Sequence, residues 1–200
     1  MTDEFLRAVE KRRSIYGISD RHAVPEDRIE RIVEQAVRHV PSAFNSQSGR
    51  VVLLFGSAHQ KLWEIVRDTL RKIVPAEKFG PTETKIRSFA AGYGTVLYFD
   101  DTAVTDGFAE KFRTYRDNFP IWAQQSSGML QFAVWTALEA EGLGASLQHY
   151  NPLIDDSVRA AWKIPESWKL IAEMPFGSVT APAEEKEFLP ARDRMRVERD

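Results

Sequence analysis

The stretch "PIWAQQSSGMLQFAVWTALEAEGLGASLQHYN", Pro120 to Asn151, decides how this chain is read. Trp122, Met129, Phe132, Ala133, Trp135 and Leu138 put apolar side chains on more than one side of a helical pattern that runs to Glu141. A surface helix needs only one such stripe, so this pattern predicts a central, largely buried helix. Gly142 and Gly144 stop it, and "ASLQHY" after them reads as a strand.

Upstream, Ile29, Ile32, Val33, Ala36, Val37 and Val40 recur at i, i+3, i+4, i+7, i+8 and i+11, the spacing of one helix face between Pro25 and Pro41. "RVVLLFG", Arg50 to Gly56, predicts a mostly buried strand. A second amphipathic helix follows over Ser57 to Val74, where Leu62, Val66, Leu70 and Ile73 form the stripe and Ser57 and Gln60 have capping-box spacing. Residues 75–94 are rich in proline and glycine and read as a loop with a short helix, leading into the strand "TVLYFDD". Thr102 to Asn118 shows no clean period and reads as irregular structure over a pocket. Downstream, "DDSVRAAWKI" reads as a small helix and "WKLIAEMPFG" as a strand before a charged tail. Helices and strands alternate without repeats or a linker, which predicts a single domain over residues 1–200, α/β or α+β in three layers.

Composition narrows the function. The chain has 200 residues, 43% hydrophobic, enough for one substantial core. Lys and Arg number 27 against 29 Asp and Glu, a balance of −2 that argues against a nucleic-acid surface. The absence of cysteine excludes disulfides and thiolate chemistry. "MTDEFLRAVEKRRS" does not read as a signal peptide and nowhere do 18 apolar residues run together, so a soluble, cytoplasmic protein without membrane partners is expected.

Three short blocks could carry chemistry. "EKRRSIYG", Glu10 to Gly17, sets Lys11, Arg12 and Arg13 beside the Ser14 hydroxyl at the end of a helix. That is a phosphate grip in chemical terms, and equally a basic helix terminus complementing the macrodipole. In "PSAFNSQSGR", Pro41 to Arg50, Asn45 and Gln47 each offer a donor and an acceptor, suited to the alternating edge of a flavin ring or to an ordinary loop that satisfies its own backbone. "EGLGASLQHYN" permits close backbone approach to a flat ligand, or simply ends a helix, and it is not a dinucleotide fingerprint.

Taken in order, "RRS", "PSAFNSQ" followed at once by an apolar strand, and "GLGASLQHYN" resemble the nitroreductase family of FMN-dependent oxidoreductases. The "LQHYNP" extension and the ending "EKEFLPARDRMRV" look most like that family's shorter branch of bacterial and fungal members. The resemblance implies an α+β fold in three layers, with a mixed, mostly antiparallel central sheet flanked by helices, and an intertwined homodimer holding two FMN sites at the subunit boundary. It further implies that Arg12, Arg13 and Ser14 hold the FMN phosphate and ribityl chain. Ser42, Asn45 and Gln47 would reach in from the other subunit, the backbone of Leu143 and Gly144 would approach the ring, and Arg194 would be a second phosphate partner. Hydride would pass from NADH or NADPH through FMN to a nitroaromatic or quinone-like acceptor in ping-pong fashion, with no catalytic side chain. A flavin-binding sensor or storage module needs the same grip, and a helical interaction protein would need none. Tyr16 stands where many relatives carry a basic residue, and Ser48-Gly49 where they carry Pro-Trp.

Phe44, Tyr93, Tyr115, Phe119 and Trp122 either line a flat acceptor slot or belong to the core. His22, His39, His59 and His149 lack metal-site spacing and are expected at the surface or at caps, with no metal bound. Ser126-Ser127-Gly128 lies within a helical pattern and is no hydrolase elbow. Asp100-Asp101 reads as a solvated turn.

Overall fold

All eight residues of the strand Gly94–Asp101 (β3) are buried, which requires a covering layer on each side. The structure, a computed structural model, describes residues 2–21 and 24–199. Side chains along β3 alternate between two apolar clusters. Val96 and Tyr98 point into a cluster built with Ile29, Val33, Leu130, Val134 and Leu138. Leu97 and Phe99 point into another with Leu62, Trp63, Val66, Phe89, Ile154 and Val158.

Those clusters define three layers. Helices α2 (Glu26–His39) and α6 (Phe119–Ala140) cover one face, and α3 (Gly56–Arg71), α4 (Phe79–Ala90) and α7 (Asp155–Trp162) cover the other. Between them the sheet runs β1 (Ile18–Ser19), β5 (Trp168–Val179), β3, β2 (Gly49–Phe55), with β4 (Leu143–Ala145) also pairing β5. All of these pairings are antiparallel, while Ser14 and Ala145 form an isolated parallel bridge. The remaining helices are α1 (Thr2–Lys11) and α5 (Thr102–Lys111). An α+β class in three layers is therefore the fold.

Several local expectations need correction. No Ser57 capping box forms, since Phe55 occupies the cap position without a side-chain bond and the Gln60 amide donates to the Ala90 carbonyl at 2.7 Å. Gly56 enters the helix at φ 51°, a conformation favouring glycine. Residues 102–118 are not irregular but consist of α5 and a 3-10 turn, Arg113–Asn118. The short helix expected before β3 spans twelve residues, and of the predicted "ASLQHY" strand only Ala145 lies in a regular strand, which begins two residues earlier as Leu143–Ala145.

His59, expected at the surface or a cap, is buried between the Thr95 hydroxyl at 2.8 Å and the Ala90 carbonyl at 3.2 Å. Burial pushes its imidazole down to about 4, so it stays neutral in the core. Asp100 and Asp101 are buried as well. The Thr105 hydroxyl donates to Asp100, and Arg50 pairs with Asp101. His22 lies outside the described residues.

Candidate functional site

α1 ends at Lys11, and the next two residues are organised by the far end of α6. The Arg12 guanidinium carbon lies 4.4 Å from the centroid of the Trp135 ring, a cation–π stack. The Arg13 backbone N–H donates to Glu139 Oε2 at 2.7 Å, while the Trp135 indole N–H donates to Oε1 at 2.9 Å. One carboxylate thus ties the basic pair to the helix. Burial raises the Glu139 pKa, opposed by those two hydrogen bonds and by the charges of Arg12 and Arg13. The Arg13 side chain reaches the carbonyl of Glu184. Together Arg12, Arg13, Ser14, Tyr16 and Lys186 line a cavity of about 670 Å³ closed by Ala181 to Glu185.

Beside it, the Ile15 N–H donates to the Ala145 carbonyl at 2.9 Å, which sets Ser14 next to β4. Leu143 and Gly144 are buried there. A Cβ on Gly144 would stand 2.7 Å from Ile15 Cγ2 and 3.1 Å from Val179 Cγ2, so the glycine is required by packing within this chain. Gly142, at φ 85°, is the helix stop. Arg194 is exposed in the tail and does not line the cavity, whereas Lys186 does.

The amide loop lies elsewhere. Ser126 Oγ on α6 donates to the Pro41 carbonyl at 2.7 Å, and the Gln47 N–H donates to Ser42 Oγ at 2.9 Å, closing the loop on itself. Phe44, Asn45 and Gln47 all hold positive φ, at 54°, 52° and 52°. Such angles are uncommon outside glycine, and for a bulky residue such as phenylalanine they mark an outlier. Asn45 and Gln47 are exposed, and among the described residues the Asn45 side chain makes no hydrogen bond. Ser42, Gln47, Arg50, Ser126 and Leu130 border a smaller cavity of about 150 Å³.

Ser126 and Leu130 each precede by nine positions the α6 residue that serves the basic pair, Trp135 and Glu139 respectively. At 3.6 residues per turn nine positions are about two and a half turns, so the two clusters face opposite sides of α6, roughly 13 Å apart along its axis. Within one chain, then, the basic pair and Gln47 line separate cavities.

Four of the five aromatic candidates gather around that loop. The Phe44 ring centroid lies 5.9 Å from Tyr115, 5.5 Å from Phe119 and 6.0 Å from Trp122. Tyr93 does not join them, since it packs on Phe55 and Phe176 in the core and its hydroxyl donates to Glu26. Phe112, 4.7 Å from Phe44, was hidden in a segment without helical period. In the sequence, Trp135 and Glu139 stand only as parts of a helix with a buried pattern. Their signal lay in the i, i+4 spacing, which brings an indole N–H against a carboxylate.

The nitroreductase family profile matches residues 9–178. The chain belongs to the nitroreductase family. It is accordingly an oxidoreductase by family, and solved structures agree. Nitroreductase CinD from Lactococcus lactis, in complex with chloramphenicol, shares 45% identity and superposes with a TM-score of 0.90 over 98% of this chain and 100% of that one. The putative nitroreductase HBN1 of Saccharomyces cerevisiae is 35% identical over 187 residues, 92% of this chain and 93% of the relative. A putative nitroreductase from Desulfovibrio desulfuricans, solved in complex with FMN, shares the fold at a TM-score of 0.69 and 18% identity over 97% and 96% of the two chains.

Proposed function

We propose that the chain is an NAD(P)H-dependent FMN oxidoreductase acting on nitroaromatic or quinone-like acceptors, with its sites shared between the subunits of a homodimer. The observation that carries this reading is the cavity over residues 12–14. Its side-chain cations, Arg12, Arg13 and Lys186, outnumber the acids Glu184 and Glu185. Its volume suits a cofactor, and guanidinium beside hydroxyl suits a phosphate. The donor set thus fits FMN.

Arg12, Arg13 and Ser14 would hold its phosphate and ribityl chain. The backbone at Leu143 and Gly144, next to Ser14 through the Ala145 bridge, would lie under the ring. Arg194 in the tail would be a further phosphate contact. Ser42, Asn45 and Gln47 do not line this cavity in their own chain, which favours their serving the partner subunit's site. When bound, FMN would supply hydride transfer from NADH or NADPH to the acceptor, donor and acceptor taking turns at one open face in ping-pong order. The protein's part is orientation, exclusion of water and donors at the ring's polar edge, none of which needs an acid–base side chain. The aromatic cluster around Phe44 would offer a flat acceptor surface. No described helix is long and apolar enough to cross a membrane, and the reading places a single domain of residues 1–200 in the cytoplasm.

Purified protein is expected to be yellow and to oxidise NADPH faster on addition of 4-nitrophenol. A yellow protein without acceleration would instead be a flavin store or sensor. Subunit sharing is tested with Arg12→Ala and Asn45→Ala protein unfolded and refolded together. Random pairing in a two-fold dimer makes about half heterodimers, each with one intact site, so roughly a quarter of parent activity returns. Absence of any recovery refutes the shared site.

A further inference from the structure

Resting on the FMN reading above, we propose that Phe44 and the Arg50–Asp101 ion pair are positioning groups that brace the amide loop and hold Asn45 and Gln47 ready for the cofactor. Three of the four residues from Phe44 to Gln47 hold left-handed backbone. A free segment would abandon that conformation, so something outside the loop must hold it.

Two braces are visible. On one side, the Phe44 ring is set among Phe112 at 4.7 Å, Phe119 at 5.5 Å and Trp122 at 6.0 Å, which ties a loop residue to α6 and to the turn before it. On the other, Arg50 Nη1 donates to the Gln47 carbonyl at 2.6 Å and to the Gly49 carbonyl at 3.1 Å, and Nη2 donates to Asp101 Oδ2 at 3.0 Å. Asp101 is buried at the end of β3, its N–H donates to the Ser48 carbonyl at 2.9 Å, and its Oδ1 has no hydrogen-bond partner among the described residues. Arg50 is thus the group that compensates this buried carboxylate, and that compensation fixes where the guanidinium stands. Its position in turn fixes the carbonyl of Gln47.

The loop presents exposed amides on a backbone secured from two directions. Ordering that would otherwise accompany binding is then already complete before the ligand arrives, and affinity rises accordingly.

The test uses Phe44→Leu and Arg50→Lys, each prepared free of flavin, with FMN dissociation constants measured by quenching of flavin fluorescence. Melting of the flavin-free proteins is recorded alongside. Both variants are expected to remain folded and to bind FMN about ten-fold more weakly, with Phe44→Tyr restoring parent affinity. The visible absorption band of bound FMN should shift in both, as the amides lose their fixed position. Because the two braces are separate, failure of one variant to fold leaves the other as the test. Dissociation constants within about two-fold of the parent for the folded variants, while Asn45→Ala weakens binding, overturn the proposal. If Asn45→Ala also binds like the parent, the fault lies instead with the FMN reading of the loop.

Discussion

Glu173 sits midway along β5 with no exposed surface, and replacing it by glutamine should reverse the order of stability of the two proteins across the pH range. Its Oε2 accepts the Tyr150 N–H at 3.0 Å, and its Oε1 has no hydrogen-bond partner among the described residues. Burial pushes the carboxyl from the usual 4.5 up to about 8, and the charge of Asp155 acts the same way against the Tyr150 N–H. Between those two values the folded protein holds a proton that the unfolded chain has released. Stability is therefore fully present below about pH 4.5 and falls as the pH rises, levelling off above about pH 8. At about 1.4 kcal/mol per pH unit, the fall has a ceiling of about 5 kcal/mol. Glu173→Gln abolishes this slope, and its buried amide, lacking an acceptor, costs about 1–3 kcal/mol at every pH. The variant should then be the less stable protein near pH 5 and the more stable one near pH 9. Urea unfolding of flavin-free protein, followed by far-ultraviolet circular dichroism at one protein concentration, measures the difference. Two stability curves that run parallel between those pH values would refute the reasoning.

Trp135→Leu removes the surface on which Arg12 is stacked, an interaction worth about 1 kcal/mol, and should weaken FMN binding roughly five-fold in a fluorescence titration while Arg12 itself remains. Gly144→Ala forces a methyl group against Ile15 and Val179, costing about 1–3 kcal/mol. Thermal melting should show a loss of roughly 2–4 °C per kcal/mol, partly recovered when Ile15→Ala makes room. In the same assay Gly107→Ala, in an exposed position of α5 where an added Cβ meets nothing, should raise the melting temperature, corresponding to about 0.5–1 kcal/mol.

What the sequence discloses follows from how strongly each segment obeys one period. The α2 stripe is unambiguous, and Ile29, Ile32 and Val33 are buried where it places them. β3 and α6 are legible from their apolar content instead: β3 is buried along its whole length, whereas α6 buries Leu130, Val134 and Leu138 but leaves Ile121, Met129 and Phe132 exposed, so it is covered less completely than its pattern predicts. α5 is not legible. Its sequence, TAVTDGFAEK, has a glycine in mid-helix and no stripe, and its anchoring comes from the Thr105–Asp100 bonds and from packing on α6. β1, two residues long, is set by its partner β5 alone. The basic pair and the amide loop stand out as polar runs between apolar elements. What binds them in place does not, because Glu139, Trp135 and Arg50 lie up to 126 positions away or inside elements that already read as core.

β5 pairs with β1, β3 and β4, and its cross-strand partners run from Ile18 to Ala145. During synthesis the chain emerges in order, so residues 18 to 145 wait without the strand that joins them until position 179 has appeared. Only local elements such as α2, α3 and the β2–β3 pair can assemble earlier. Sheet closure is therefore a late event dominated by distant contacts, slow by nature, and β3, buried along its whole length in the finished fold, stays half-covered throughout that interval. Any change that delays the arrival of β5 lengthens the time in which that edge is open to other chains.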